Sequence, residues 1–240
     1  MISSAEMGLV LGLVPLAGTA LASVGMGQLH KRQYVGWFAA GAVFAAAGGS
    51  LFSNMNGAKP AFAVLLGLAL GCVAGIAMYA FTEFLWPRNQ VNKRGNGGTA
   101  RKGENFITST VLAMLTVAFS IGVVYSAKIV ESMSVMLSFA MELFWLAFSV
   151  GIHVARLGER VTMGLLLAVI VWLGQMVGMA LGEGLIGASL VATLALGNGA
   201  VMYMAIYPLF ADPNKSSKPQ GLAASFLTGY GSALAFMAIV

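Results

Sequence analysis

Charge is the scarcest property of this 240-residue sequence. Only 9% of its residues are Asp, Glu, Lys or Arg, against roughly 25% in an ordinary soluble domain. That scarcity excludes a water-exposed surface. Cysteine occurs once, as Cys72 within an apolar run, so an intrachain disulfide is excluded and the redox compartment cannot be read. One Cys and two His leave little for a metal-hydrolase centre. No HExxH, GxSxG, CxxC or Walker-type loop occurs. The chain therefore reads as no enzyme, with no cofactor. The late apolar runs contain no lysine, since Lys215 and Lys218 both fall between runs, which excludes a retinal protein. Period-two alternation is missing as well, and with it the pattern of a membrane barrel.

What is present is apolar. Hydrophobic residues make up 59% of the chain, concentrated in eight runs at Gly8–Leu29, Tyr34–Ser53, Ala61–Trp86, Ile107–Ala127, Met133–His153, Val161–Leu181, Leu185–Phe210 and Gly221–Val240. Each is long enough for a helix to cross ~30 Å of hydrocarbon. The fold class is all-α, integral membrane, with eight transmembrane helices in a single domain. The first run has no basic segment before it and reads as a membrane helix, not a cleaved signal.

The net charge of +5 comes from loops. Lys31, Arg32, Arg88, Lys93, Arg94, Arg101, Lys102, Arg156, Arg160, Lys215 and Lys218 all fall in odd-numbered connections, leaving only Lys59 and Lys128 for the even ones. The positive-inside rule then makes the odd loops cytoplasmic and puts both termini outside. The expected location is the cell (inner) membrane. Residues 87–106, rich in Gly, Asn, Lys and Arg, read as a flexible cytoplasmic loop touching the anionic leaflet. The partners expected are lipid and either a second copy in a homodimer or other membrane subunits. Nucleic acid is not expected.

An internal repeat is visible. Gly41-Ala-Val-Phe runs on to Leu51-Phe52, and Gly199-Ala-Val-Met runs on to Leu209-Phe210, a constant offset of 158. Five helices separate the two, an odd number, so the copies cross in opposite directions. This suggests a 3+2+3 inverted repeat, the arrangement of many secondary transporters, with the site near the midplane. Two glycine stripes, Gly67, Gly71, Gly75 and Gly174, Gly178, Gly182, mark close helix packing.

An ionisable group deep in the bilayer costs at least ~2.5 kcal/mol on insertion scales and is a functional candidate by default. Glu142, in the middle of the fifth run, is that group. Ser149 and His153 share its face at helical spacing, and the sixth and seventh runs add Gln175, Asn198, Tyr203 and Tyr207 to a polar seam. The expected hydrogen-bond partner of Glu142 is Gln175 or Asn198. The alternative is that Glu142 only ties helices together. The 15 Met are scattered over most helices and read as packing residues rather than Cu(I) ligands.

The layout resembles the ZIP (Zrt/Irt-like) family of divalent-metal transporters, which has eight helices in a 3+2+3 inverted repeat, outside termini and a long cytoplasmic loop after helix 3. The likeness rests on YVGWFAAGAVFAAAGGSLF (34–52), VIVWLGQMVGMALG (169–182) and LALGNGAVMYMAIYPLF (194–210). In this register Glu142 falls on the glutamate of the family's helix-5 H-N-x-P-E-G motif, and Ser138 on its histidine. The asparagine, proline and glycine positions hold Phe139, Met141 and Leu143, and the helix-6 glutamate position holds Val171. The fourth run has no His, Asn or Asp, so the H-N-x-x-D motif is missing. Zn²⁺ needs about four N, S or O ligands, and no metal site is expected. The resemblance implies a transporter with a diverged site at Glu142, Ser138, Gln175, Asn198 and His153. A transport-inactive subunit of a membrane complex and an unrelated eight-helix permease are the other readings.

Overall fold

A computed structural model describes residues 4–22, 29–53, 61–85, 98–127, 133–154, 157–210 and 219–239. Among these residues it is all-helical: α1 Ser4–Leu21, α2 Leu29–Ser53, α3 Ala61–Leu85, α4 Gly98–Ser126, α5 Met133–His153, α6 Leu157–Gly182, α7 Gly187–Phe210 and α8 Pro219–Ile239. Counted over the described side chains, five of them, α4 to α8, hold continuous apolar stretches of 19 to 25 residues, long enough to cross a membrane, and α1, α2 and α3 hold shorter ones. The chain is an integral membrane protein.

Helix ends depart from the hydropathy pattern. α4 starts at Gly98, inside the segment expected to be loop, and α6 starts at Leu157 instead of Val161. The reason is local: Ala100, Arg101, Lys102 and Glu104 are good helix formers that extend α4 beyond its apolar part. Residues 87–97 of the expected loop lie outside the described residues. α1 ends at Leu21, whereas the apolar run continues to Leu29, where α2 begins. Pro15 inside α1 removes one backbone donor. A turn later, the Thr19 hydroxyl lies 3.1 Å from both the Pro15 and Leu16 carbonyls. Pro219 opens α8, where a missing N–H is harmless.

The helices pack as two groups. α1, α4, α5 and α6 form one, and α2, α3, α7 and α8 the other. α5 lies against α2 and α4 against α7, which joins them. The central core comes largely from α4 and α5, with Met114, Val117, Leu143 and Leu146 buried together with Val43, Leu167 and Met204. α3, α6 and α8 turn apolar faces outward: Phe62, Leu65, Val73, Leu165, Trp172, Val177, Leu227 and Phe236 are all exposed. In a bilayer such faces meet lipid.

Two crossings, α2 with α8 and α3 with α7, bring backbones into contact at four glycines. A Cβ on Gly41 would strike the Phe226 carbonyl of α8, and one on Gly229 the Phe38 carbonyl of α2. On the other side, a Cβ on Gly71 would strike the Leu196 carbonyl of α7, and one on Gly199 the Leu68 carbonyl of α3. Helices in lipid associate through van der Waals packing, so a side chain at these points would push the backbones apart.

Candidate functional site

α5 carries the polar face that the sequence picks out. Glu142 is 0% exposed and is the one carboxyl among the buried described residues. Ser138 lies one turn before it. Trp145, Leu146 and Ser149 follow at helical spacing, so all share its face. Ser138 donates to Met237 Sδ of α8 at 3.2 Å, and Gly49 of α2 is close enough that a Cβ there would touch both Met237 and Ser138. Ser149 donates to the Leu146 carbonyl of its own helix at 2.6 Å. His153, at the end of α5, is exposed, with Nδ1 2.9 Å from the Ser149 carbonyl. It lies about 16 Å along the axis from Glu142 and is not part of the buried site.

Asn198, in the middle of α7, is 4% exposed. Its Nδ2 donates to the Ala47 carbonyl of α2 at 3.0 Å, joining the two helices that carry the sequence repeat. Gln175 on α6 is buried too, but its Nε2 finds no acceptor among the described residues. That nitrogen therefore does not donate to Glu142, against the expectation. α6 packs mainly on α4 and α1 and only lightly on α5, which carries Glu142. Tyr203 lies against Gly75, and the Tyr207 side chain lies outside the described residues.

The two glycine stripes face neighbours within the chain. Gly67, Gly71 and Gly75 meet Ala192, Leu196 and Tyr203 of α7; Gly174, Gly178 and Gly182 meet Ala118, Phe119 and Val123 of α4. Among the described residues, no three His, Cys, Asp or Glu side chains come together in a metal-holding group.

Two features are invisible to sequence reasoning. Arg160, expected as a loop cation, is 8% exposed in the first turn of α6, and its Nε donates to the Val154 carbonyl at 2.8 Å. It thus satisfies a carbonyl at the C-terminal end of α5, where a cation is favoured by the helix dipole. The signal available was its position seven residues after His153, too generic to read. The second feature is a narrow crevice between α2, α4, α5 and α7, lined by Ala40, Val43, Thr110, Trp145, Ser149 and Ala205 among others. It has room for roughly one water molecule. Its α5 lining starts one turn from Glu142 and continues along the same face. Small, mostly apolar residues form it, so no motif announces it.

No protein-family model matches this chain, and no curated protein matches it.

Proposed function

We propose that this chain is a ZIP-like polytopic membrane transporter with a diverged, non-zinc site centred on Glu142. In this reading eight helices cross the cell (inner) membrane as a 3+2+3 inverted repeat. Both termini are outside and residues 87–106 are cytoplasmic. The observation that carries it is the residue-for-residue match of the four glycine–carbonyl contacts at two helix crossings. Gly41, Phe38, Leu68 and Gly71 each have a counterpart 158 positions later, in Gly199, Leu196, Phe226 and Gly229. Each contact on one side has its equivalent on the other: Gly41 with Phe226 against Gly199 with Leu68, and Gly71 with Leu196 against Gly229 with Phe38. The helix pairs follow the same exchange, α2 on α8 for α7 on α3 and α1 on α5 for α6 on α4. Paired contacts support the repeat more strongly than likeness between apolar sequences does. Inverted repeats place substrate groups near the midplane between the copies, and Glu142 is a buried acid on one of the two central helices.

The second reading, a transport-inactive subunit of a membrane complex, is favoured by how little space borders the α5 face that carries Glu142. The crevice is water-sized. A docking face for that subunit would have to be the outward surface of α3, α6 or α8, because the Gly67–Gly75 stripe is already occupied by α7.

Reconstitution separates the two. Purified chain in liposomes should carry a flux that Glu142→Gln and Glu142→Leu both abolish without loss of folded protein. Absence of flux for proton, monovalent and divalent cations, together with stoichiometric co-purifying subunits, would favour the inactive subunit.

A further inference from the structure

The crevice and the Asn198 hydrogen bond are repeat-related. Ala40 and Ala205 line the crevice; Asn198 stands 158 positions after Ala40, and Ala47 stands 158 before Ala205. The two positions that border open space in one half of the bundle are, in the other half, joined by the Asn198 Nδ2 to Ala47 carbonyl bond. The neighbouring positions agree. Ala39 lines the crevice beside Trp145, while Gly197, its equivalent, is packed against Ser120 of α4. Leu194 and Val201, the equivalents of Gly36 and Val43, are 4% and 1% exposed.

The crevice also has a defined end. Its walls are the first half of α2, the start of the apolar part of α4 and the last halves of α5 and α7. Those are the helix ends next to the odd-numbered connections, where the basic residues are. Glu142 stands beyond its inner end on the same face of α5. The described ionisable side chains on helices packed against α5 are few: Tyr34 on α2, Tyr125 on α4, Tyr230 on α8, and Glu159 and Arg160 in the first turn of α6, with His153 at the exposed end of α5 itself. Arg160 is already engaged with the Val154 carbonyl.

We infer that Glu142 is a proton-exchange site reached through this crevice from the odd-loop end, and that Asn198 latches the repeat-related route from the opposite end. The inference rests on the transporter reading and adds the substrate class and the gate. Hydronium entering the crevice gives its proton to the Glu142 carboxylate and leaves as water; release on the other side is the reverse. A single carboxylate with hydroxyls at Ser149 and Thr110 suits a proton and falls short of the donor set a divalent cation needs. Release to the far side requires the Asn198–Ala47 bond to break while the crevice closes, the exchange of conformations between halves that an inverted repeat permits.

The test uses full-length protein with Cys72→Ala in sealed vesicles of known orientation, and an impermeant methanethiosulfonate reagent. Ser149→Cys should react from the side on which residue 95 is labelled. Leu194→Cys, at the latched end, should react several-fold more slowly from either side. Asn198→Ala should raise Leu194→Cys reactivity about five- to tenfold, the scale of one lost hydrogen bond. Should Asn198→Ala fail to fold, Ala40→Asn tests the same relation in reverse: the new amide faces Ala205 and should slow Ser149→Cys by a similar factor. Carbodiimide modification of Glu142, read by mass spectrometry, should fall after Ser149→Cys is blocked. Equal reactivity at the two ends, or carbodiimide modification indifferent to the block, would overturn the inference. The labelling pattern without any proton flux would refute the transporter reading while leaving the one-sided site standing. Proton flux without the labelling pattern would refute the gate alone.

Discussion

Where α2 crosses α8 and α7 crosses α3, residues 158 positions apart make matching contacts; where α4 and α5 meet at the centre, the buried side chains differ in chemistry. At the outer crossings glycine faces a carbonyl on both sides, four times over. The inner helices keep the packing relation as well: Gly178 of α6 meets the Phe119 carbonyl of α4, and Gly18 of α1 meets the Phe144 carbonyl of α5. Phe119 and Phe144 stand 25 positions apart, and the same spacing carries Val117 onto Glu142. Both are buried, one apolar and one acidic. In the proposed repeat, packing constrains each copy separately, because a side chain at each of these glycines would strike backbone. Chemistry between the copies needs a group only once. In that reading, symmetry is kept where backbones touch and lost where a polar group sits.

The largest expected effect tests the packing half. Gly71→Val and Gly229→Val each drive a branched side chain into a carbonyl, and overpacking costs about 1–3 kcal/mol or more where the neighbour is backbone. Both should leave little monodisperse protein after detergent extraction, and by similar margins, with Gly48→Val as a tolerated control, since a Cβ there meets nothing. Severe loss for one crossing and none for its equivalent, measured by yield and thermal melting, would break the correspondence.

Next comes the chemical half. Glu142→Gln and Val117→Glu form a matched pair at equivalent positions. Glu142→Gln should cut flux in proteoliposomes at least tenfold with folded protein retained, because shape and hydrogen bonding survive while ionisation is lost. Val117→Glu with Glu142→Gln should not restore it, as the crevice is lined by Trp145, Leu146 and Ser149 of α5 and by Thr110, not Val117, of α4. A silent Glu142→Gln, with Glu142→Leu destabilising, would reduce Glu142 to a tie between helices.

Helix existence was legible throughout, because apolar runs of this length have one structural solution in a bilayer. Helix ends were not. Hydropathy is silent once a helix leaves the membrane, and α4 continues through Arg101 and Lys102 while α6 begins at Leu157. The burial of Glu142 follows from its place in mid-span. The partner of Asn198 could not be read, since a backbone carbonyl at Ala47 has no signature of its own. For Gln175, nothing in the sequence marks which helix the amide faces; its Nε2 is buried without an acceptor among the described residues. The 158-residue offset was readable at Gly41 and Gly199; the same offset between Gly71 and Gly229 shows only in the contacts.

The next prediction concerns sidedness. A cysteine replacing Gly95 should be labelled by impermeant reagent only from the cytoplasmic side, following the basic residues of the odd loops. Labelling from outside alone would invert the crevice with it, since both belong to the same end.

The smallest effect sharpens the line between packing and chemistry at Gln175. Its Nε2 is buried without an acceptor among the described residues, and a buried donor left unmade costs about 1–3 kcal/mol. Met is close to Gln in length and volume and has no N–H to satisfy. Gln175→Met should therefore be neutral to stabilising, by up to about 1 kcal/mol, which for a chain of this size is a melting shift of about 2–4 °C. If Glu142 works alone with the crevice, flux should stay within about twofold of the parent. A stabilised protein with flux lost would place Gln175 on the proton's path and move the site toward α6. A destabilised protein would mean that the amide is held by something in the resting bundle, and that the centre is more polar than its contacts suggest.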